Sequence, residues 1–358
     1  MNPGRSTWVL ALVFVLWSAV SIALAANAAG GTPEPMPTLP IGAGAVQGAF
    51  SPNGENLAIA CMDGTIKLFD TETWDLIWES TLHEAEPINC VVFSPGGGSV
   101  VASVKGEDLV VFLDPRTGRE VRRIVIPEDL PGTSGASAPG FRFRMWEFAF
   151  SPDGRLLACA DGSLSKSVIL LDSVTGRFLS APVFLGGGNE IHVLFSPDGR
   201  LLACSNIYKR IVVWDVENEE EAASLKTIGL GALTSIAFSP DGRLLAAGGG
   251  DSSVVLLWDT STWESTRLSV SSKGAGGAVA FSSDGRFFAS GYKDLRIWSA
   301  ETLDLISTSA VCPKGTVWMR FSPDGALLVV SKNIGRPATF LIPSSSLDVW
   351  ETSALLGE

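Results

Sequence analysis

Histidine, tyrosine and known catalytic motifs are scarce in this sequence. Two histidines, His83 and His192, and two tyrosines occur among 358 residues. No G-x-S-x-G elbow, P-loop or EF-hand loop is present, and so few imidazoles exclude a histidine-rich metal site. From the sequence we therefore expect no catalytic residue, no metal and no cofactor.

Basic residues are also few. Lysine and arginine number 26 against 38 aspartates and glutamates, which gives a formal net charge of −12. A nucleic-acid partner requires patches of Lys and Arg that displace counterions from phosphates. Nucleic acid is therefore excluded as the partner of this chain.

The cysteines are odd in number and no C-x-x-C pair occurs. The five are Cys61, Cys90, Cys159, Cys204 and Cys312. Cys159 and Cys204 occupy the same place in two repeats, inside apolar segments. This pattern favours buried small hydrophobic residues over a disulfide or a metal site.

The first 28 residues have the pattern of a targeting segment. Arg5 is the only charge ahead of an apolar run at residues 8–26, and A-x-A spacings follow at residues 23–25 and 26–28. The run is long enough to span a bilayer, so an uncleaved N-terminal anchor stays open beside a cleaved signal peptide. We expect an exported body, periplasmic or extracellular, with membrane contact only through residues 8–26 if they are retained.

Residues 29–43 are rich in Gly and Pro and are interpreted as a linker, followed by a repeat domain at residues 44–358. The motif F-S-x-x-G occurs seven times in that domain, at intervals of 40 to 57 residues, a period typical of propellers and solenoids. The copies begin at Phe50, Phe93, Phe150, Phe195, Phe238, Phe281 and Phe321. Three of them read FSPDGRLLA without change. In S-P-D-G, proline presets a turn and glycine accepts positive φ, which predicts a hairpin.

Each repeat contains four short apolar segments, and beyond the leader no segment keeps a helical period. Seven such units arranged radially bury both faces of every sheet. The sequence predicts an all-β fold, a seven-bladed β-propeller of four-stranded antiparallel blades. We expect blade seven to take its third strand near Phe340 and its fourth from residues 347–353, without an exchanged strand; an added strand from residues 35–41 is the open alternative.

Two segments carry a family resemblance, VVWD at Val212–Asp215 and LLWD at Leu256–Asp259. With seven repeats in register, residues 44–355 resemble the WD-repeat β-propellers, in the degenerate FSPDG form familiar from bacteria. The family's Gly-His pair before the first strand is missing. The resemblance implies a rigid platform that binds a protein partner, which the sequence does not identify.

Positions at which the repeats differ are the better candidates for function. Three residues before the Phe the copies have Gln47, Cys90, Glu147, His192, Ser235, Ala278 and Trp318. Glu147 and His192 fall in neighbouring blades at one level, near the mouth of the central channel. They form either an inter-blade hydrogen bond or a ligand-facing acid/base pair.

The 57-residue interval carries an insertion within residues 122–147, and a long loop on a rigid scaffold is typical of a binding site. Trp, Arg and Met are favoured in interface cores. The partner-binding hypothesis therefore comprises Arg142, Arg144, Met145 and Trp146, with Lys314 and Trp318 on the same rim. The alternatives are a propeller enzyme of lactonase or hydrolase type, and a small-ligand or glycan binder at the channel mouth.

Overall fold

The computed structural model describes most of the repeat region. The described residues are 36–84, 86–105, 107, 109–126, 145–161, 167–184, 191–206, 210–230, 233–249, 254–269, 277–291, 294–309, 316–332 and 344–357. The predicted leader at residues 1–28, most of the insertion and Phe340 lie outside them.

Twenty-seven strands are described, and all pairings within the sheets are antiparallel. Blades one to three contain β1 (Met36–Phe50), β2 (Asn56–Cys61), β3 (Thr65–Asp70), β4 (Leu76–Thr81), β5 (Ile88–Phe93), β6 (Val100–Val104), β7 (Leu109–Leu113), β8 (Glu120–Val125), β9 (Met145–Phe150), β10 (Leu156–Asp161), β11 (Ser167–Asp172) and β12 (Phe178–Phe184).

Blades four to seven contain β13 (Ile191–Phe195), β14 (Leu201–Asn206), β15 (Arg210–Asp215), β16 (Glu220–Lys226), β17 (Leu233–Phe238), β18 (Leu244–Gly249), β19 (Val254–Asp259), β20 (Ser265–Ser269), β21 (Ala278–Phe281), β22 (Phe287–Gly291), β23 (Leu295–Ser299), β24 (Leu305–Ser309), β25 (Thr316–Phe321), β26 (Leu327–Lys332) and β27 (Ser344–Glu351). The short helix α1 (Thr352–Leu356) follows and packs against β24, where Ser307 Oγ donates to the Leu355 carbonyl at 2.6 Å. Within the described residues, no helix has the length and apolar character needed to cross a bilayer.

The predicted seven-bladed propeller is confirmed. Five blades are separate four-stranded sheets, and blades seven and one share a seven-stranded sheet in the order β25-β26-β27-β1-β2-β3-β4. The first strand of each blade contacts that of the next, and β1 contacts β25, so the innermost strands close a ring.

The expected mode of ring closure is wrong. Residues 344–351 form the third strand of blade seven, paired with β26, and are not its fourth. The fourth strand is the N-terminal half of β1, where Met36 pairs with Val349 and Leu39 with Leu347. The C-terminal half of β1 is the innermost strand of blade one, where Phe50 pairs with Leu57. One strand therefore belongs to two blades, because the last blade lacks a fourth strand of its own.

The boundary between linker and domain is also corrected. β1 begins at Met36, inside the segment 29–43 that was interpreted as a linker. Gly42 and Gly44 have φ of +77° and +80°, which glycine adopts without steric cost. These two glycines redirect the chain from the outer edge of blade seven to the centre of blade one.

Each blade interface has its own hydrophobic cluster among the described residues. Between blades two and three, for example, Val101 and Phe112 pack with Phe148 and Leu171. Apolar side chains thus fill both faces of each sheet, which is how seven thin sheets share a continuous core.

The S-P-D-G segments form the predicted hairpin turns between the first and second strands of a blade. In blade three, Ser151 Oγ donates to Asp153 at 2.5 Å and accepts from the Leu156 amide at 2.9 Å. Gly154 donates to the Ser151 carbonyl and has a φ of +73°. The turn is therefore held by its own serine, aspartate and glycine.

The repeated turn also joins neighbouring blades, which the sequence did not reveal. A Cβ placed on Gly154 would lie 3.7 Å from Pro95 Cγ of the preceding blade. Gly97 faces Pro52 and Gly199 faces Pro152 in the same way. The proline therefore serves its own turn and also packs against the turn of the next blade.

The turn aspartates make the stability of the fold depend on pH. Hydrogen bonds from Ser151, Ser196 and Ser322 lower the pKa values of Asp153, Asp198 and Asp324, respectively, and hydrogen bonds from backbone amides lower them further. A pKa that is depressed in the folded state contributes stability above the unfolded value of about 3.9 and loses it as pH falls through the folded value.

We therefore expect the melting temperature to fall as pH drops from about 5 towards 2.5. A triple variant, Asp153→Asn, Asp198→Asn and Asp324→Asn, should show a shallower acid slope. It should fold, because blade one already has Asn53 at this position, bonded to Ser51 Oγ at 2.6 Å. The exposed Glu301→Gln is the matched control and should keep the wild-type slope. Equal slopes for all three proteins would contradict the prediction.

The turns between third and fourth strands require a left-handed residue. Glycine supplies it at Gly118 and Gly176, but Trp74, Trp263 and Leu303 adopt φ near +60° and pack against hydrophobic clusters instead. Glu219 adopts φ of +53° and is exposed. At Glu219, therefore, no apolar packing offsets the steric cost of positive φ.

Glu219→Gly is therefore expected to raise the free energy of unfolding by about 0.5–1 kcal/mol, because glycine removes the steric cost of positive φ. Urea denaturation measures the change. Trp263→Gly, the same exchange at an equivalent position, should lower stability through lost packing. A less stable Glu219→Gly variant would count against this account of the turn.

Candidate functional site

The innermost strands surround the central channel, and their residues alternate in burial. Two residues before the Phe every described side chain is buried: Val91, Phe148, Val193, Ile236, Val279 and Met319, with Gly48 in blade one. One residue before the Phe the copies are Ala49, Val92, Ala149, Leu194, Ala237, Ala280 and Arg320, and all except Ala280 are partly exposed. The second set lies on the opposite side of each strand, together with the set three before the Phe. In that third set Gln47, Glu147 and His192 are partly exposed, and the others are buried.

Three polar side chains meet in this channel. The Glu147 carboxylate lies 3.0 Å from His192 Nδ1, with side-chain exposures of 17% and 24%. Gln47 Nε2 donates to the other Glu147 oxygen at 3.5 Å, and Gln47 Oε1 accepts the Val91 amide at 2.9 Å. Gln47 is in blade one and Glu147 in blade three, so these side chains connect blades that are not neighbours.

Glu147 and His192 thus have the geometry of an inter-blade hydrogen bond. An ionised carboxylate only accepts, so the contact places a proton on Nδ1. Cys90 of blade two lies close by and donates to the Phe148 carbonyl at 3.8 Å. Burial, reinforced by the negative charge of Glu147, raises the pKa of the Cys90 thiol, which keeps it protonated and unreactive. Around the pair, the described residues therefore supply no activated cysteine nucleophile.

Arg320 is a fourth polar residue of the channel, and the sequence reasoning missed it. Its Nη1 donates to the Met319 carbonyl at 2.9 Å. Burial lowers the pKa of its guanidinium, and the negative charge of Glu147 partly opposes that effect. The signal was present in the sequence, because six copies have Ala, Val or Leu at this position and the seventh has Arg.

Most of the partner-binding hypothesis lies beyond what the structure describes. Arg142, Arg144 and Lys314 are outside the described residues. Met145 and Trp146 begin β9, and only their backbone is described. That hypothesis stays a prediction.

The placement of Trp318 on the partner-binding rim is wrong. Its side chain is only 6% exposed and belongs to the hydrophobic cluster between blades seven and one, with Ile59 and Val329. Gly48 leaves room for it, since a Cβ there would lie 2.6 Å from the indole Cη2. The ring is part of the core and is not a surface of the rim.

Four of the five cysteines are described, and all four are buried and free: Cys61, Cys90, Cys159 and Cys204. Burial raises the pKa of Cys61 to about 11 and those of the others further. Their interpretation as small buried hydrophobic residues is confirmed; Cys312 lies outside the described residues. In the described part of the chain, no three His, Cys, Asp or Glu side chains are grouped so as to hold a metal ion.

Two segments of the chain match a known family of repeats. The model of the WD domain, G-beta repeat (WD40) matches residues 42–70 and 224–259, which cover the third strands ending at Asp70 and Asp259. These two segments of the chain are similar to WD repeats, and the fold is a seven-bladed β-propeller. The first match covers blade one as far as β3, and the second runs from β16 of blade four to β19 of blade five.

Solved structures share the propeller fold of this chain. A chain of the crystal structure of the Mitotic Checkpoint Complex aligns with a TM-score of 0.70 and 17% identity, over 89% of this chain and 91% of that one. The Cps50 (Swd1) β-propeller domain from Myceliophteria thermophila gives 0.67 and 17%, over 89% and 99%.

One curated relative matches only a short part of the chain. The ribosome biogenesis protein erb1 of Aspergillus clavatus is 32% identical over 76 residues, 21% of this chain. The chain spans 10% of the length of that relative.

Proposed function

We propose that this propeller is an exported platform for protein binding, and that its partner binds on the rim that carries residues 122–147. The observation behind the proposal is the uneven length of the connections between blades. Residues 126–144 connect β8 to β9, whereas residues 82–87, 185–190 and 227–232 make the equivalent connections elsewhere. Long connections over a rigid scaffold are favoured places for binding.

The ring provides the rigidity that such a platform needs. Side chains tie the outer strands of adjacent blades together: Trp78 Nε1 donates to the Pro115 carbonyl at 2.8 Å, and Arg122 Nη2 donates to the Ser173 carbonyl at 2.8 Å. Arg122 also lies 3.7 Å from the centre of the Phe112 ring. A preorganised surface loses less entropy when a partner binds.

The composition of the insertion supports protein as the ligand. Arg142, Arg144, Met145 and Trp146 are residue types enriched at interface cores. β9 begins at Met145, two residues before Glu147. At about 3.3 Å per residue, the channel cluster lies about 7 Å below this rim. A partner that contacts the start of β9 is therefore expected to lie close to the channel cluster.

Site-specific crosslinking tests the rim. A photoreactive phenylalanine analogue replaces Phe143 in the exporting cell, and a second protein carries it at Glu72, an exposed residue of the opposite rim. We expect a discrete adduct from position 143 only. Deleting residues 133–139 should remove that adduct while the melting temperature changes little. The proposal fails if both positions give the same adducts, or if the deletion variant keeps them.

Export is tested separately by the intact mass of the purified protein. Cleavage after Ala25 or Ala28 is expected to leave a chain that starts at Ala26 or Ala29. The full mass in the membrane fraction would support the anchor instead; the linker before Met36 would then span at most about 25 Å. The full mass in the cytoplasm would contradict export.

A further inference from the structure

We propose that the central channel contains a binding site for a carboxylate, in which Arg320 is the residue that holds the anion. The site is distinct from the proposed rim, and no sequence motif marks it. Four observations lead to this site, and each concerns side chains of the innermost strands.

The first observation is the position of Arg320. It replaces the Ala, Val or Leu that occupies the same position in the other six blades. Four of those six residues are alanine: Ala49, Ala149, Ala237 and Ala280. Small side chains at one level occupy little of the volume around a guanidinium, and Arg320 is itself partly exposed.

The second observation is the number of donors that Arg320 leaves unused. A guanidinium has five N–H donors. Among the described residues, its only hydrogen bond runs from Nη1 to the carbonyl of its own neighbour, Met319. The remaining donors are available to a ligand, and their planar arrangement matches two oxygens of a carboxylate.

The third observation is the relation of Arg320 to Glu147. The two charges influence each other across the channel, yet no ion pair joins them among the described residues. Glu147 is engaged by His192 and Gln47 instead. The guanidinium is therefore a partly buried cation, and the carboxylate whose charge acts on it has other partners.

The fourth observation selects the charge of the ligand. The negative charge of Glu147 acts on Arg320, and it disfavours a second large negative charge nearby by Coulomb repulsion in a medium of reduced dielectric. A monoanion is therefore favoured over inorganic phosphate. A carboxylate meets this requirement, either as a free small molecule or as an acidic side chain of a bound protein.

The test uses the full mature chain and two probes, sodium acetate and the peptide acetyl-Gly-Glu-Gly-amide, each titrated by calorimetry and by the Nε–H resonance of Arg320. Acetate is expected to saturate with a dissociation constant on the order of 1 mM, given its few atoms. Arg320→Gln should weaken binding at least tenfold. Arg155→Gln, which removes an arginine that is 86% exposed in a turn, is the matched control and should bind as wild type does.

The two probes distinguish the source of the carboxylate. Tighter binding of the peptide than of acetate, lost in Arg320→Gln, would assign the site to an acidic segment of a protein. Binding of acetate alone would assign it to a small metabolite. Absence of saturable binding by either probe, equal binding by Arg320→Gln, or equal competition by inorganic phosphate would overturn the proposal.

A folding control keeps the result interpretable. Arg320→Met retains the length of the side chain and places an apolar group where the other blades have one, so its melting temperature should equal or exceed that of wild type. It should also fail to bind acetate. Deletion of residues 133–139 leaves Arg320 in place and should leave acetate binding unchanged, which separates this site from the rim.

Discussion

A chain that begins at Gly44 is expected to unfold at a much lower temperature than one that begins at Met36. The shorter chain lacks the segment that completes blade seven, in which Leu39 is 5% exposed and Ile41 is fully buried. Two such side chains contribute about 2–3 kcal/mol each by burial alone. The loss also leaves the outer edge of β27 unpaired, so we expect a total of about 5 kcal/mol or more.

Thermal unfolding of the two truncated chains measures this difference, and a synthetic peptide of residues 36–43 provides a rescue. Added in excess to the shorter chain, the peptide should raise its melting temperature towards that of the longer chain, as a ligand of the folded state does. Ile41→Ala in the longer chain isolates one buried side chain and should cost about 2–4 kcal/mol. Equal melting temperatures for the two truncations would show that the ring does not depend on the shared strand.

Gly64→Ala is expected to destabilise the propeller by about 3 kcal/mol or more, a loss typical of overpacking combined with backbone strain. Gly64 has a φ of +81°, and a Cβ built there would lie 1.9 Å from the His83 carbonyl oxygen. The obstacle is backbone, so no side chain can move aside. The Leu82 amide also donates to the Gly64 carbonyl at 3.0 Å, and a shift of the turn would disturb that bond.

Gly54→Ala separates the two causes. Gly54 has a similar φ of +77°, but the nearest atom to its Cβ would be Pro323 Cδ at 3.5 Å, an ordinary contact. It should therefore lose only the cost of the left-handed conformation, about 1–2 kcal/mol. Chemical denaturation of both variants measures the difference. If Gly64→Ala costs no more than Gly54→Ala, the close approach to His83 is not what makes glycine necessary.

The repeat unit was predictable because its causes are local. The glycine of S-P-D-G adopts positive φ, and the serine forms hydrogen bonds only to residues at most five positions away. Apolar segments alternate with these turns along the chain. Seven local units of this kind require a closed ring, since only radial packing covers both faces of each sheet. The blade count and the antiparallel order follow without reference to any distant contact.

Trp318 and Arg320 show where local reasoning stops. Both stand at positions where the repeats differ, but only Trp318 was named as a candidate site residue from the sequence. Alternation predicts the side of the strand on which a side chain lies, but it does not predict whether the adjacent blade leaves room for that side chain. Gly48 in the adjacent blade accepts the Trp318 indole into the core, whereas Arg320 stays at the channel.

The sequence by itself determined the blade, its turns and the number of blades, because each depends on residues within one repeat of about 43 positions. Only the tertiary structure decided how the ring closes and which side chains meet in the channel. The β1–β27 pairing joins residues some 300 positions apart, and Gln47, Glu147, His192 and Arg320 come from four different blades. Such contacts depend on the curvature and closure of the whole ring, and no periodicity within a repeat encodes them.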